Sequence, residues 1–475
     1  MHMTDTPEWL APSLDYVSRW LEYQMRVLEQ PGCTIAVTYR GKLKLEHAIG
    51  FADQGLSIPL TPRHRFRVAS HSKSFTAAGL MRLREQGRVT LEDRTGQYVS
   101  GLHPKIASAT IAQLLSHTAG IFRDGMDANY WVDRAPFPDE AELDRDLALP
   151  PAIEAGLRLK YSNHGFALAG RVIEAVTGES WVDWIGREIV AKAGLTETTP
   201  DAPLPDGAPF ARGHSSRTLL GRRLVVPGDQ STNAFAPATG FVATAGDLAK
   251  FFAQLSPEAE TSILTAASRR EMTRAQWRDP HATLETSYGL GMISGTLDGW
   301  EWFGHGGGFL GYITRTVVVP KQHLAISVLT NAVDGSAHPW LDGALRIMKA
   351  FATGGAPSAH LADWAGRWWS VWAAVDLVPI GQKVFVALPG LLDPLAKTAE
   401  IEVNGTDEGR IAEAGAFGSY GEPVRLIRND AGKVSTVRLG AGTLVPEDVL
   451  AAELQARYDL QRPETATPIN GSERG

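Results

Sequence analysis

The sequence holds a single cysteine, Cys33, in 475 residues. One cysteine excludes an intramolecular disulfide and every metal site built on paired cysteines. Because Cys33 lies in an alternating apolar stretch, it reads as a small buried hydrophobe and not as a reactive thiol. No apolar run approaches the ~18 residues that a membrane-spanning helix needs. The first residues, Met1 to Leu10, lack the basic region and apolar core of a secretory signal, so a cytoplasmic protein with no membrane partner is expected, or a periplasmic one if a signal has been removed. Basic runs are missing too: 46 Lys and Arg against 53 Asp and Glu leave a formal charge of -7. Without a polycationic stretch to neutralise phosphates, nucleic acid is not an expected partner. No pair of histidines stands at metal-ligand spacing, so neither metal nor cofactor is expected. What remains is a protein that handles a small-molecule or peptide substrate. Its oligomeric state is not legible.

What is present describes an ordinary globular chain, with hydrophobic residues at 44% and charged residues at 21%. Its length exceeds the ~250–300 residues at which one core stops growing, so a large domain and a smaller second one are expected. Residues Thr34 to Tyr39 and Lys42 to Ala48 alternate about Arg40-Gly41 and read as a β-hairpin, with Cys33, Ile35 and Val37 on one face. After Ser70 the period becomes helical through Ala77, Leu80, Met81 and Arg84, with Gly87 placed as a stop. From about Leu91 to Phe252, helical patterns and loops dominate, among them Phe166, Ala169, Ile173 and Val176 ahead of Gly178. Ile313 to Val319 and Leu324 to Asn331 then read as a second hairpin, joined by Pro320-Lys321-Gln322-His323. Hairpin, helical insertion and hairpin together predict an α+β fold, in which strands distant in sequence meet in one antiparallel sheet flanked by helices.

Leu345 to Ala352 closes this first domain, 10–352, as a terminal helix. Residues 353–360, rich in Gly and Pro, read as a linker. Beyond it, residues 361–462 combine Trp364, Trp368, Trp369 and Trp372 with short strand-like runs such as Val384 to Leu388, Val424 to Arg428 and Lys433 to Leu439. They predict a small β-barrel or sandwich with the tryptophans in its core. The tail, 463–475, is polar and expected to be loose.

Three patterns carry chemistry. Ser70-His71-Ser72-Lys73 places an amine one helical turn from a hydroxyl, at a helix N-terminus whose N–H groups and dipole favour an oxyanion. Serine is a weak nucleophile until a base takes its proton, and a lysine serves if burial lowers its pKa. Taken alone, the spacing is also that of a helix start followed by a solvated lysine, so context decides. Lys160-Tyr161-Ser162-Asn163 supplies it by putting a phenol and a carboxamide on one side of an extended segment before a helix. Gly304-His305-Gly306-Gly307-Gly308 leads into a strand and lets backbone N–H groups approach a substrate carbonyl.

In this order, with Phe66-Arg67-Val68-Ala69 before the serine and Leu114-Leu115-Ser116-His117-Thr118-Ala119-Gly120-Ile121 between, the motifs resemble the serine β-lactamase and penicillin-binding-protein superfamily. The resemblance runs from about Leu14 to Ala352 and points to the branch of class C β-lactamases, D-aminopeptidases and esterases. It implies Ser70 as the acylated nucleophile, Lys73 as its base, and Tyr161 as the proton donor to the leaving atom. It also implies substrate binding by Asn163, His305, Gly306 and Gly307, and an oxyanion hole from the N–H groups of Ser70 and Gly308. His117 is expected to anchor its loop. The family's usual third motif is Lys-Thr-Gly. With His305 in place of the lysine, a mostly neutral hydrogen-bond donor is expected where a fixed charge would meet the carboxylate of a β-lactam. The second domain is similar to the lipocalin-like barrel appended to peptidases of this branch. The expected activity is cleavage of amide or peptide bonds through an acyl-enzyme. A carboxylesterase with the same residues, a penicillin-binding sensor acylated without turnover, and an acyl transferase are the alternatives.

Overall fold

The computed structural model describes residues 6–278, 286–414 and 418–458. The chain divides into two compact units, one built on Ser18–Leu345 and one on Pro7–Val17 with the residues from Arg346 onward. The loose tail expected at 463–475 lies outside the described residues.

In the first unit the opening hairpin is longer than its alternation suggested. β1 (Gly32–Tyr39) and β2 (Lys42–Asp53) pair antiparallel, with Ile35 opposite His47 and Val37 opposite Leu45. All of β1 except Tyr39 is buried, because it lies inside a sheet whose two faces are both covered. The remaining strands of this sheet are β3 (Ile58–Pro59), β4 (Trp277–Arg278), β5 (Thr286–Tyr288), β6 (Ile293–Leu297), β7 (Trp300–Phe309), β8 (Tyr312–Val319) and β9 (Leu324–Thr330). Their order is β3-β2-β1-β9-β8-β7-β6-β5-β4, and Cys33 stands opposite Thr330. The two hairpins thus meet in one antiparallel sheet, as an α+β plan requires.

Helices supply the cover. α1 (Leu10–Val27) precedes the sheet, and its start, unassigned in the sequence reading, belongs to the second unit. α2 (Ser72–Glu85) is buried along most of its length and stops where Gly87 takes φ +71, a left-handed turn that costs glycine little. α3 (Asn163–Thr177) starts where the Ser162 hydroxyl accepts from the Gly165 N–H at 2.8 Å, and ends at Gly178 with φ +76. α4 (Ala245–Gln254) packs on β1, β8 and β9. α5 (Ala337–Gly354) is far longer than the Leu345 to Ala352 segment expected, and the division between units falls inside it.

The second unit carries an eight-stranded antiparallel sheet. Its strands are β10 (Gly366–Trp369), β11 (Ala374–Ile380), β12 (Lys383–Ala387), β13 (Ala399–Val403), β14 (Glu408–Glu413), β15 (Pro423–Arg428), β16 (Val434–Leu439) and β17 (Gly442–Leu444), paired in sequence order. Trp369 and Val445 exchange backbone hydrogen bonds of 2.8 and 3.0 Å, so the first strand nearly closes on the last and the sheet is barrel-like. Trp364 and Trp368 fill its core with Leu377, Ile401 and Val424. Trp372 does not: it is 92% exposed in the turn between β10 and β11, where the hairpin's bend turns its side chain outward. α6 (Glu447–Tyr458) follows.

Candidate active site

Three segments meet at Ser70. The first is the entry to α2, a 3-10 turn Ala69–His71 that runs straight into the helix. Ala69 is held at φ +45, a strain of about 1–3 kcal/mol for a residue with a side chain. His71 braces this turn from beneath. Its Nδ1–H donates to the Val68 carbonyl at 2.9 Å, leaving Nε2 to accept from the Thr316 hydroxyl of β8 at 3.0 Å. Burial brings its pKa down to about 4, so the ring is neutral.

The second segment is the end of β7. Its pairing with β6 stops at Gly304, and the overhanging residues His305–Phe309 pack against the turn that carries Ser70. A Cβ on Gly307 would stand 2.1 Å from the Val68 carbonyl oxygen, so only glycine permits this approach. Gly308 is the exposed residue of the overhang.

The third segment holds Tyr161 and Asn163 on either side of the Ser162 cap. Tyr161 donates to the Ser70 hydroxyl at 2.8 Å, and burial pushes its phenol pKa far up, so it stays protonated. Lys73 lies on the other side of Ser70, 3.1 Å from its Oγ and fully buried. The Lys73 amine has two further contacts, the Asn163 Oδ1 at 2.7 Å and the Ala238 carbonyl at 2.8 Å. Burial pulls its pKa well below the usual lysine range; the Asp124 carboxylate opposes this and the Arg123 guanidinium adds to it. A neutral amine has two hydrogens and one lone pair. Both carbonyl oxygens can only accept, so they take the two hydrogens and leave the lone pair to face the Ser70 hydroxyl.

The structure thus gathers Ser70, Lys73, Tyr161 and Asn163 at one point and sets Gly306, Gly307 and Gly308 on the adjoining strand. His305 behaves differently from expectation. Its Nδ1–H donates to the Gly306 carbonyl at 2.6 Å, and its Nε2 accepts from the Tyr288 hydroxyl at 3.0 Å. No ring nitrogen is left to donate to a substrate. Burial, with His71 and Lys73 nearby, holds its pKa well below the usual histidine range, so it carries no charge. His117 anchors its loop: Nδ1 accepts from the Ser162 N–H at 3.1 Å, and the ring sits against Tyr161 and Tyr288, with centroids at 4.1 and 4.6 Å.

Sequence reasoning missed Asp124, Arg123, Tyr288 and the Ala238 carbonyl. Asp124 Oδ1 accepts from Asn163 Nδ2 at 2.6 Å and from the Trp131 indole N–H at 2.9 Å, while Oδ2 accepts from Arg123 Nε at 3.0 Å. The Arg123 guanidinium lies 5.3 Å from the Tyr161 ring centre. An Arg-Asp pair at Arg123 and Asp124, starting two residues after Ile121 closes the His117-Thr118-Ala119-Gly120-Ile121 segment, was the available signal. Among the described residues, no group of three or more His, Cys, Asp or Glu could hold a metal ion, and no helix is long and apolar enough to cross a membrane.

Comparison with known proteins agrees with this architecture. Penicillin-binding protein 4 of Amycolatopsis lactamdurans is 29% identical over 320 residues, covering 63% of this chain and 81% of that one. Penicillin-binding protein 4* of Bacillus subtilis is matched over 37% of its own length. The octameric penicillin-binding protein homologue from Pyrococcus abyssi superposes with a TM-score of 0.63 at 20% identity, covering 91% of this chain and 99% of that one. A D-stereospecific amidohydrolase from Streptomyces sp. has a TM-score of 0.56 at 25% identity, covering 69% and 95%. Residues 17–346 match the family described as Beta-lactamase, and the chain belongs to that family.

Proposed function

We propose that this protein is a serine hydrolase that forms an acyl-enzyme on Ser70 and cleaves amide bonds. One observation carries the reading: the Ser70 hydroxyl lies between a fully buried Lys73 amine at 3.1 Å and the Tyr161 phenol at 2.8 Å. Lys73 accepts the serine proton as Oγ bonds to the substrate carbonyl carbon, and the oxyanion is received by the N–H groups of Ser70 and Gly308. Tyr161 gives its proton to the leaving nitrogen as the C–N bond breaks. Water then attacks the ester carbonyl, losing a proton to the Tyr161 phenolate, and the C–Oγ bond breaks as Lys73 returns its proton to Ser70, releasing the acid. Amides are favoured over β-lactams because His305, neutral and turned inward, puts no cation on β7 to meet a carboxylate. The Streptomyces relative, a D-stereospecific amidohydrolase, points the same way.

The test offers D-amino-acid p-nitroanilides, p-nitrophenyl esters and a chromogenic cephalosporin to the protein and to Ser70→Ala, with intact mass recorded throughout. Amide turnover that vanishes in Ser70→Ala is expected. Turnover of esters alone would make it a carboxylesterase, and a lasting adduct without product would make it a sensor. Product coupled to an added amine would make it an acyl transferase.

A further inference from the structure

We propose that Asp124 is a positioning residue, whose carboxylate fixes the Asn163 amide so that its oxygen, and not its nitrogen, faces Lys73. The inference rests on the acylation chemistry above and goes beyond its catalytic trio. A carboxamide is nearly symmetric in shape, so shape alone does not set which way round the Asn163 amide lies. Flipped, its NH₂ would meet the Lys73 amine, which would then have to turn its lone pair to Asn163 and away from Ser70. A carboxylate only accepts, so Asp124 Oδ1, 2.6 Å from Asn163 Nδ2, rejects the flipped form. Two donors hold the carboxylate in turn, the Trp131 indole at 2.9 Å and Arg123 Nε at 3.0 Å. The Asn163 and His164 N–H groups donate to the Arg123 carbonyl, tying this loop to the start of α3. The chain Asp124, Asn163, Lys73, Ser70 therefore has one self-consistent set of donors, and in it the base is aimed at the nucleophile.

Asp124 also acts through its charge. The charged or titratable groups that face the Lys73 amine are Tyr161 before α3, Arg123 and Asp124 with His117 on the loop, and His305 on β7. The Asp124 carboxylate raises the Lys73 pKa and the Arg123 guanidinium lowers it, both against a larger drop from burial. Neutralising Asp124 therefore lowers the Lys73 pKa further, and removing Arg123 raises it.

The experiment follows the rate of Ser70 labelling by a fluorophosphonate, a reaction that forms a Ser O–P bond and expels fluoride, across pH for the full chain and three variants. Asp124→Asn should slow the plateau rate about 10- to 100-fold, the scale of one hydrogen bond to a charged group, and move the acid limb to lower pH. Arg123→Ala should move it to higher pH, and Asp124→Glu, which keeps the charge, should leave it near that of the parent. A purely structural role would slow labelling without moving the limb, so an unmoved limb in folded Asp124→Asn overturns the proposal. Should that variant not fold by circular dichroism, an unmoved limb in Arg123→Ala does so instead. Failure of Ser70 in the parent to label at all would sink the proposed function itself.

Discussion

Lys73 and His305 are both buried, both have their pKa values pulled well below the usual range and both bond a backbone carbonyl, yet only Lys73 lies against the Ser70 hydroxyl. The Lys73 amine contacts Asn163 Oδ1, the Ala238 carbonyl and Ser70 Oγ, and in its neutral form the two carbonyl oxygens take its hydrogens and leave the lone pair to Ser70. His305 spends its one N–H on Gly306, and its lone pair is occupied by Tyr288. Burial alone therefore does not mark a candidate base. What marks it is a buried group with one bonding position left over and a reacting atom at that position.

The largest effect that would break this contrast is Ser70→Ala, which should abolish covalent labelling while circular dichroism stays unchanged, because a lost hydroxyl leaves little void. Labelling that moves to another serine would contradict the assignment. Next, Lys73→Ala should slow acylation by at least ~10²-fold, the scale of a positioned general base. A near-parental rate would pass the role to another group.

The effects on stability are smaller. His71 has its pKa brought to about 4 from an ordinary 6.5. Its burial in the neutral form therefore contributes stability that is present above pH 6.5 and lost as pH falls through 4, since the unfolded chain takes up the proton first. At about 1.4 kcal/mol per pH unit the loss is on the order of 3 kcal/mol. Urea unfolding across this window should show it, and His71→Gln should reduce the pH dependence by that amount, leaving the share of the other buried histidines.

His305→Phe should leave Ser70 labelling within about tenfold but destabilise the fold by about 1–3 kcal/mol, because the buried Tyr288 hydroxyl loses its acceptor. His305→Lys sharpens the contrast further. With the side chain at position 305 directed to Tyr288, as that of His305 is, the ratio of cephalosporin to ester rates should not change. A rise would show that the side chain faces the cleft.

The difference between the two groups also explains how much could be read in advance. Ser70, Lys73, Tyr161 and Asn163 lie within three residues of one another in pairs, so helix geometry and a short extended segment fix their relations locally. The two hairpins and the strands of the second unit were legible for the same reason, as alternation within a few residues. Asp124 and the Ala238 carbonyl act only because tertiary packing brings them to Asn163 and Lys73, and no spacing announces that. His305 stood in the right motif. Its ring was claimed by Tyr288, a residue on β5, a competition that is invisible along the chain. Trp372 failed as a core residue because a turn between β10 and β11 interrupts the run of tryptophans. The N-terminal helix was legible in Leu10, Leu14, Val17 and Leu21, at helical spacing, but the stretch was read only for a leader. The boundary drawn at 353–360 remains a proposal. A chain ended at Gly355 would also lose the rest of the unit to which Pro7–Val17 belongs, so it should fold with reduced stability.

The most direct test of the central claim is the pH dependence of fluorophosphonate labelling in the parent protein, with the adduct placed by peptide mapping. A neutral, buried Lys73 as the base for Ser70 predicts one adduct, on Ser70, and a rate that rises to its plateau at a pH well below the usual lysine range. An adduct elsewhere, or a rate that climbs only where an ordinary lysine loses its proton, would contradict it.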